Sequence, residues 1–393
     1  MASLSFALVA VVSLAGVEAR TPKFDPATKR VRVVYLGDAW GAGSPIYEIY
    51  KDPLFSATPV PASATHAGGI PNMSRFIRLY LPRTYNDFVT YFDVLILSDT
   101  EAPYYTSEQI HWFSKGVSDA GQGLLMVGGR EIQLGEWGGT TVEEALPSDF
   151  LGTQTVEKPF WAIPANPDNE IVMALPMNKL PQYLGMILVA PKPDAELILT
   201  SRPGGHPVLL YHEYGKGASM FHTPDWTPLW GQYVNRWEYF GDYVCDMLYY
   251  LSGLKVPDDP ALMHTLRQFF GDYDVRKQMI LNLAEFIDKF GANTGALDKK
   301  LGDLYQDRAE ASRLYVEQDY NGALAKIRQV LEELEEVQNF ALRLKDRAMF
   351  WIYITEVSAV TGVSLIAGTA VWFLMVKRKL YREVSVTRIK GLE

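Results

Sequence analysis

The sequence predicts an α/β domain built on a parallel sheet, followed by an all-α segment and one membrane-spanning helix. Three observations carry this expectation. Two apolar runs flank a helix-period stretch at the spacing of a βαβ unit. After Pro257 and Pro260 glycine and β-branched residues thin out, and Leu, Ala, Glu, Lys and Arg take over. Finally, Phe350 to Val376 is predominantly apolar and exceeds the ~20 residues a helix needs to cross a bilayer. At roughly 100–200 residues per domain, the 393 residues suggest two or three units, each able to bury a core.

The chain opens with an apolar stretch, Leu4 to Val17, followed by Val17-Glu18-Ala19 with small residues at the flanking positions. Residues 1–19 therefore read as a secretory signal cleaved after Ala19. The n-region carries no Lys or Arg, which keeps a short membrane anchor as the alternative. The α/β domain is expected over 28–255. Val31 to Leu36 is a buried strand running into Gly37-Asp38, and Phe92 to Leu97 is a second, running into Ser98-Asp99. A helix follows, capped by Ser107, with Ile110, Phe113 and Val117 on one face and Gly121 beyond its end. Gly123 to Val127 is the third strand, ending in Gly128-Gly129. Pro207 to Tyr211 and Ala218 to Phe221 flank Gly215-Lys216-Gly217 and form a hairpin that closes the sheet. Tyr239 to Leu251 is the last helix, with Cys245 as a buried inert thiol among apolar neighbours.

Residues 260–348 follow helical spacing, with a break at Gly291 to Gly295 and a turn at Gln318 to Gly322. In the last helix Ala323, Ile327, Val330, Leu334, Val337, Ala341 and Leu344 recur at alternating four and three residues, a coiled-coil type of seam. Leu324 and Leu331 widen it, as a hairpin partner requires. No Pro or Gly separates Leu344 from Phe350, so the helix should run straight from a stalk into the membrane span at 350–376. Trp351, Tyr353 and Trp372 sit where interfacial rings are favoured. The tail, 377–393, holds Lys377, Arg378, Lys379, Arg382, Arg388 and Lys390 against Glu383 and Glu393. By the positive-inside rule it is cytoplasmic, which makes the chain a type I single-pass cell-membrane protein with its bulk extracytoplasmic. The remaining 31 basic and 44 acidic residues make that exterior more acidic than the net charge of −9 suggests.

The charge argues against a nucleic-acid partner. A single cysteine excludes an intrachain disulfide, a CxxC redox pair and a cysteine-rich zinc site. The six histidines show no HxxxH or HxH spacing, so no metal or other cofactor is expected. An extracytoplasmic chain without disulfides, carrying the sequon Asn72-Met73-Ser74 as a glycosylation candidate, fits a prokaryotic surface. In the membrane helix Glu356 is costly unless it reaches the interface or meets a partner helix. Ser358 with Gly362, and Ser364 with Gly368, are small-xxx-small pairs that favour a homo-oligomer or another membrane subunit.

Several blocks in order carry a family likeness. They are Leu36-Gly37-Asp38-Ala39-Trp40-Gly41, Tyr91 to Asp99, Gly123 to Gly129, Gly138 to Pro147, Glu213 to Gly217, and Trp226 to Gly231 followed by Trp237-Glu238. Through them the stretch from Val31 to about Gly253 resembles the class I glutamine amidotransferase-like family, in its membrane-associated branch. The resemblance implies a flavodoxin-like parallel sheet with helices on both faces. It also implies a nucleophilic cysteine on the turn after the strand ending near Val127, where this chain has Gly128-Gly129-Arg130-Glu131. Phe221-His222-Thr223-Pro224-Asp225 is similar to the family's Phe-His-Pro-Glu block with one residue inserted, so His222 and Asp225 are the candidate base and orienting carboxylate.

Ligands of an open parallel sheet bind beyond the carboxyl ends of the strands. That edge collects Asp38, Trp40, Asp99, Glu101, Arg130, Glu131, His222, Asp225 and Trp226 as cleft candidates. The same carboxylates can instead cap helices and pair with Arg130, and the aromatic run from Trp226 to Tyr243 suits either loop packing or stacking on a glycan. Two function classes follow. One is a catalytically degenerate domain that binds a small molecule, a glycan or a protein partner in a cell-surface assembly. The other is a membrane-anchored hydrolase using His222, Asp225 and the strand-end acids.

Overall fold

The computed structural model describes residues 20–39, 43–63, 70–290 and 293–389; the expected signal segment and Trp40 lie outside them. The chain divides into two compact units, Met1–Phe270 with Ser312–Tyr320, and Gly271–Ala311 with Asn321–Glu393.

The first unit is α/β. Its strands are β1 (Val31–Gly37), β2 (Phe55–Pro61), β3 (Val94–Ser98), β4 (Gly123–Val127), β5 (Ser148–Val156), β6 (Trp161–Pro164), β7 (Met186–Pro191), β8 (Glu196–Arg202), β9 (Pro207–Tyr214) and β10 (Gly217–His222). Its helices are α1 (Ile46–Ile49), α2 (Ile70–Tyr80), α3 (Tyr85–Tyr91), α4 (Ser107–Ala120), α5 (Arg130–Leu134), α6 (Thr141–Ala145), α7 (Glu170–Met173) and α8 (Phe240–Leu251). Eight strands form one sheet in the order β2-β1-β3-β4-β10-β9-β8-β6, while β5 and β7 pair separately. The first five run parallel, and β9, β8 and β6 continue antiparallel. The β9–β10 hairpin forms as expected but does not close the sheet, because β8 and β6 extend it.

The parallel strands are buried on both faces, as their continuous apolar runs require. On one face Val34, Leu36, Leu95 and Leu97 pack with Met73 and Ile77 of α2, Phe88 of α3 and Phe113 of α4. On the other, α8 lies against β4 and β10. β2 sits at the sheet edge, the position where Pro59 and Pro61 can be tolerated in a strand. α4 starts one residue earlier than the Ser107 cap suggests. Thr106 is the N-cap, in a reciprocal capping box with Gln109, and Gly121 closes the helix at φ +72°.

The second unit is helical, drawn from α9 (Pro260–Asp288), α10 (Gly295–Val316) and α11 (Tyr320–Ile389). α11 is one uninterrupted helix of 70 residues, resuming inside the expected turn. Its seam residues Ala323, Ile327, Val330, Leu334, Val337 and Ala341 are buried, as are Leu297, Leu301 and Leu304 of α10 and Ile280, Ala284 and Ile287 of α9. Lys326 pairs with Asp307 at 2.6 Å and Arg308 with Asp274 at 3.3 Å, so three helices rather than a two-helix hairpin contribute to the packing. Further along, α11 carries one segment long and apolar enough to cross a membrane, none of it buried.

Candidate functional site

The chain leaves β1 for β2 on one side, while β3 lies on the other, which makes the carboxyl ends of β1 and β3 the crevice where open α/β sheets bind ligands. Asp38 follows β1, Asp99 follows β3, Gly128 and Gly129 follow β4, and His222 ends β10 ahead of Asp225 and Trp226.

Three carboxyl groups come together here, Asp38 and Asp225 buried and Asp99 half-buried. Asp38 is 5% exposed and Asp225 1%. Burial pushes the Asp38 carboxyl well above the usual range, and the Asp225 charge pushes it further. Asp99 is raised in the same way, by burial first and then by Asp225 and Asp38. Burial also raises Asp225, although hydrogen bonds from the Thr227 hydroxyl and backbone N–H (the latter at 2.7 Å) oppose the rise. Burial and mutual repulsion thus oppose full ionisation of the three acids near neutrality. Asp38 accepts from the Tyr35 hydroxyl at 3.1 Å through Oδ1, while its Oδ2 is buried without a hydrogen-bond partner. Asp99 adopts φ +44° and accepts the Glu131 N–H at 2.7 Å.

His222 is not paired with Asp225. Its Nδ1 lies 2.9 Å from the Pro224 carbonyl, which can only accept, so Nδ1 carries the hydrogen. Nε2 then accepts from the Tyr183 hydroxyl at 3.1 Å. Both ring nitrogens are therefore spent, and burial holds the imidazole down to about 4, neutral at ordinary pH. The expected base and orienting carboxylate do not pair, because the Pro224 carbonyl, directly after the single inserted residue Thr223, meets the ring instead. Trp226 is likewise interior. It donates to Ser98 Oγ at 2.8 Å and Tyr35 Oη at 3.2 Å, and its ring stacks on His222 and Tyr35, which leaves no face for a sugar. Tyr35, Ser98 and Tyr183 were not singled out in the sequence. Tyr35 is legible afterwards as a polar tip in an apolar strand, whereas nothing local marks Tyr183.

The turn after β4 is filled by its surroundings. A Cβ on Gly128 would lie 2.0 Å from the Thr223 carbonyl oxygen, and one on Gly129 would lie 2.2 Å from Asp99 Oδ1. Gly129 also sits at φ +147°, where side chains are strained. Cys245 is buried in α8, and burial raises its thiol far above the usual range.

Of the remaining candidates, Glu131 adjoins Asp99 through its backbone N–H and shares Tyr104 with Glu101, whereas the others are dispersed. Glu101 precedes a short 3-10 turn. Glu131 accepts from Ser63 and Tyr104 at 3.0 and 3.3 Å. Arg130 is exposed, and the strand-end acids bond the groups named above instead of pairing with it. Asn72 is exposed on α2. Glu356 is exposed on α11, and added side chains at Gly362 or Gly368 would meet open space. Among the described residues no three metal-ligating side chains converge to hold an ion.

No curated protein matches the chain. Among solved structures it is similar to Cytoplasmic Protein STM3548 from Salmonella typhimurium, at 20% identity over 56% of this chain and 99% of that one, with a TM-score of 0.48. It is also similar to Cytoplasmic Protein STM1381 from Salmonella typhimurium LT2, at 19% identity, 56% and 99% coverage and a TM-score of 0.47. The family model described as "Putative glutamine amidotransferase" matches residues 81–253, so this stretch is similar to a glutamine amidotransferase-like domain.

Proposed function

We propose that the chain is a membrane-anchored, extracytoplasmic protein of a cell-surface assembly. In this reading its amidotransferase-like domain no longer hydrolyses glutamine and serves as a binding module for a ligand or protein partner. The observation that carries the reading is the turn after β4. Thioester chemistry needs a thiolate there, and both glycines are held against Thr223 and Asp99 with no room for a Cβ. The one thiol, Cys245, is buried in α8 and is far too basic to attack an amide. The long apolar stretch of α11 and the basic residues after it support the anchor and its orientation, and the small pairs around Gly362 and Gly368 support self-association or a membrane partner.

A second reading, hydrolysis by acid–base chemistry, is favoured by one observation: the raised carboxyls of Asp38, Asp99 and Asp225 in the strand-end crevice. His222 has no free nitrogen to take part. The test incubates the full-length protein with L-glutamine and, separately, with an electrophilic glutamine analogue. No ammonia release and no labelling of Cys245 is the expected result, and either signal overturns the binding-module reading. In cells, Asp38→Asn and Asp225→Asn with the fold intact separate the two readings. Loss of phenotype favours hydrolysis, and recovery of the same partner from native membranes with both variants favours binding.

A further inference from the structure

A cavity of about 330 Å³, at the small end of the range for ligand sites, lies against the turn between α10 and α11. It draws on none of the strand-end residues, and all of its walls belong to the first unit, which includes Ser312–Tyr320. Its inner wall is aromatic. Tyr249 of α8 and Tyr315 of α10 are 3% and 1% exposed, and half-buried Tyr320, the first residue of α11, meets the Tyr315 ring edge to face at 5.3 Å. Tyr315 donates its hydroxyl hydrogen to Asp52 Oδ2 at 2.8 Å, so the Tyr249 hydroxyl, 3.4 Å from that of Tyr315, donates to it in turn. Neither hydroxyl has a hydrogen left for a ligand, and what the two residues offer is ring surface.

The mouth has a different chemistry. Lys29 and Gln318 are exposed residues of the lining, and both adopt left-handed backbone, at φ +56° and +66°. Glycine is the unstrained choice at such positions, yet each of these two brings a long polar side chain to the cavity. The other charged residues of the lining are already compensated: Lys255 pairs with Asp258 at 2.6 Å and Glu317 with Arg313 at 2.8 Å. Lys29 has no carboxylate within ion-pair distance among the described residues, so one accessible ammonium is left over. Ring surface within and a spare cation at the mouth together suit a flat apolar body that carries a single anionic group.

We propose that this cavity binds a small aromatic carboxylate, with its ring against Tyr249, Tyr315 and Tyr320 and its carboxylate on the Lys29 ammonium and the Gln318 amide. The test is calorimetry on the full-length protein in detergent at low salt. The probes are indole-3-acetate, its uncharged counterpart indole-3-acetamide, and hexanoate, which keeps the charge without a ring. Saturable one-to-one binding of indole-3-acetate is expected, at least about threefold tighter than the amide and about tenfold tighter than hexanoate. Lys29→Gln, on an exposed side chain, weakens the acid by about threefold and leaves the amide unchanged. Val316→Trp fills the cavity from the end of α10 and abolishes binding, whereas uptake of the ring by micelles would persist in it. Should Val316→Trp fail to fold, the difference between acid and amide in Lys29→Gln decides. Equal binding of the amide or of hexanoate, no binding, binding that survives in folded Val316→Trp, or wild-type affinity in Lys29→Gln each overturns the proposal.

Discussion

Replacing Arg267 with Met tests a buried charge cluster in the α/β unit. Arg267 is 4% exposed and donates to Asp52 Oδ2 at 2.9 Å, to Asp242 Oδ1 at 2.7 Å and to Asp246 Oδ1 at 3.2 Å. Asp52 keeps the Tyr315 hydroxyl at 2.8 Å and Asp242 keeps His264 at 2.7 Å, whereas Asp246 is left with its charge unsatisfied. Were the cluster exposed, losing the pairs would cost below about 1 kcal/mol. Because it is dry, about 3–5 kcal/mol is expected, the cost of stranding buried charge. The pH dependence sharpens the test. Burial pushes the Asp246 carboxyl up to about 7, and the native state then binds the extra proton between the unfolded value of about 3.9 and that point. Stability therefore falls as pH rises through this window, and Asp246→Asn should remove the fall. Arg267→Met removes the opposing cation, so its deficit grows further as pH rises, and adding Asp246→Asn recovers part of it. Hydrogen exchange of the slow α8 amides at pH 6 and 8, corrected for intrinsic rates, measures all three. A loss under 1 kcal/mol in Arg267→Met, or an unchanged pH slope in Asp246→Asn, refutes the argument.

Gly129→Cys should not create a glutaminase; overpacking against Asp99 and backbone strain should cost about 2–4 kcal/mol in urea unfolding, and a stable variant releasing ammonia from glutamine would contradict this. Tyr183→Phe strands the His222 Nε2 acceptor and should cost about 1–3 kcal/mol, while NMR titration of wild-type His222 should give a midpoint near 4; a midpoint above 6 would show that the ring is not buried as described. Asp38→Asn removes a carboxyl that resists ionisation, so its melting temperature should gain on the wild type as pH rises from 5 to 9, and the opposite trend would reverse the assignment. Gly362→Leu with Gly368→Leu should abolish crosslinked oligomers of the full-length protein in membranes, and undiminished crosslinking would locate self-association elsewhere.

What the sequence revealed was local. β1, β3, α4, β4, the β9–β10 hairpin and α8 were readable because each carries its own period and punctuation within a short window. β2 was not, since Pro59 and Pro61 argue against a strand unless it is known to lie at an edge. β5 and β6 are largely exposed or half-exposed, while β7 and β8 carry apolar stretches of only a few residues with no helix-period segment between them to mark a βαβ unit. Topology alone leads the strand-end acids to one edge, but their influence on one another is invisible in it. That influence depends on which groups pack above them, and Trp226 reaches Tyr35 across 191 residues. The same holds for His222, whose ring is closed by Tyr183 from 39 residues upstream, and for Arg267, which meets Asp52 across 215. Long-range polar contacts have no periodicity, so composition and spacing mark neither partners such as Tyr183, Asp52 and Arg267 nor their pairing.

Because α11 keeps its hydrogen-bonded path from Tyr320 to Ile389, its buried seam and its apolar end share one axis about 105 Å long at ~1.5 Å per residue. Along such a shaft angular phase is conserved. One residue inserted between Leu344 and Phe350 would rotate the apolar end by about 100° against the seam, while seven would restore the alignment to within about 20°. The spacing between the two segments therefore sets which of their faces point the same way.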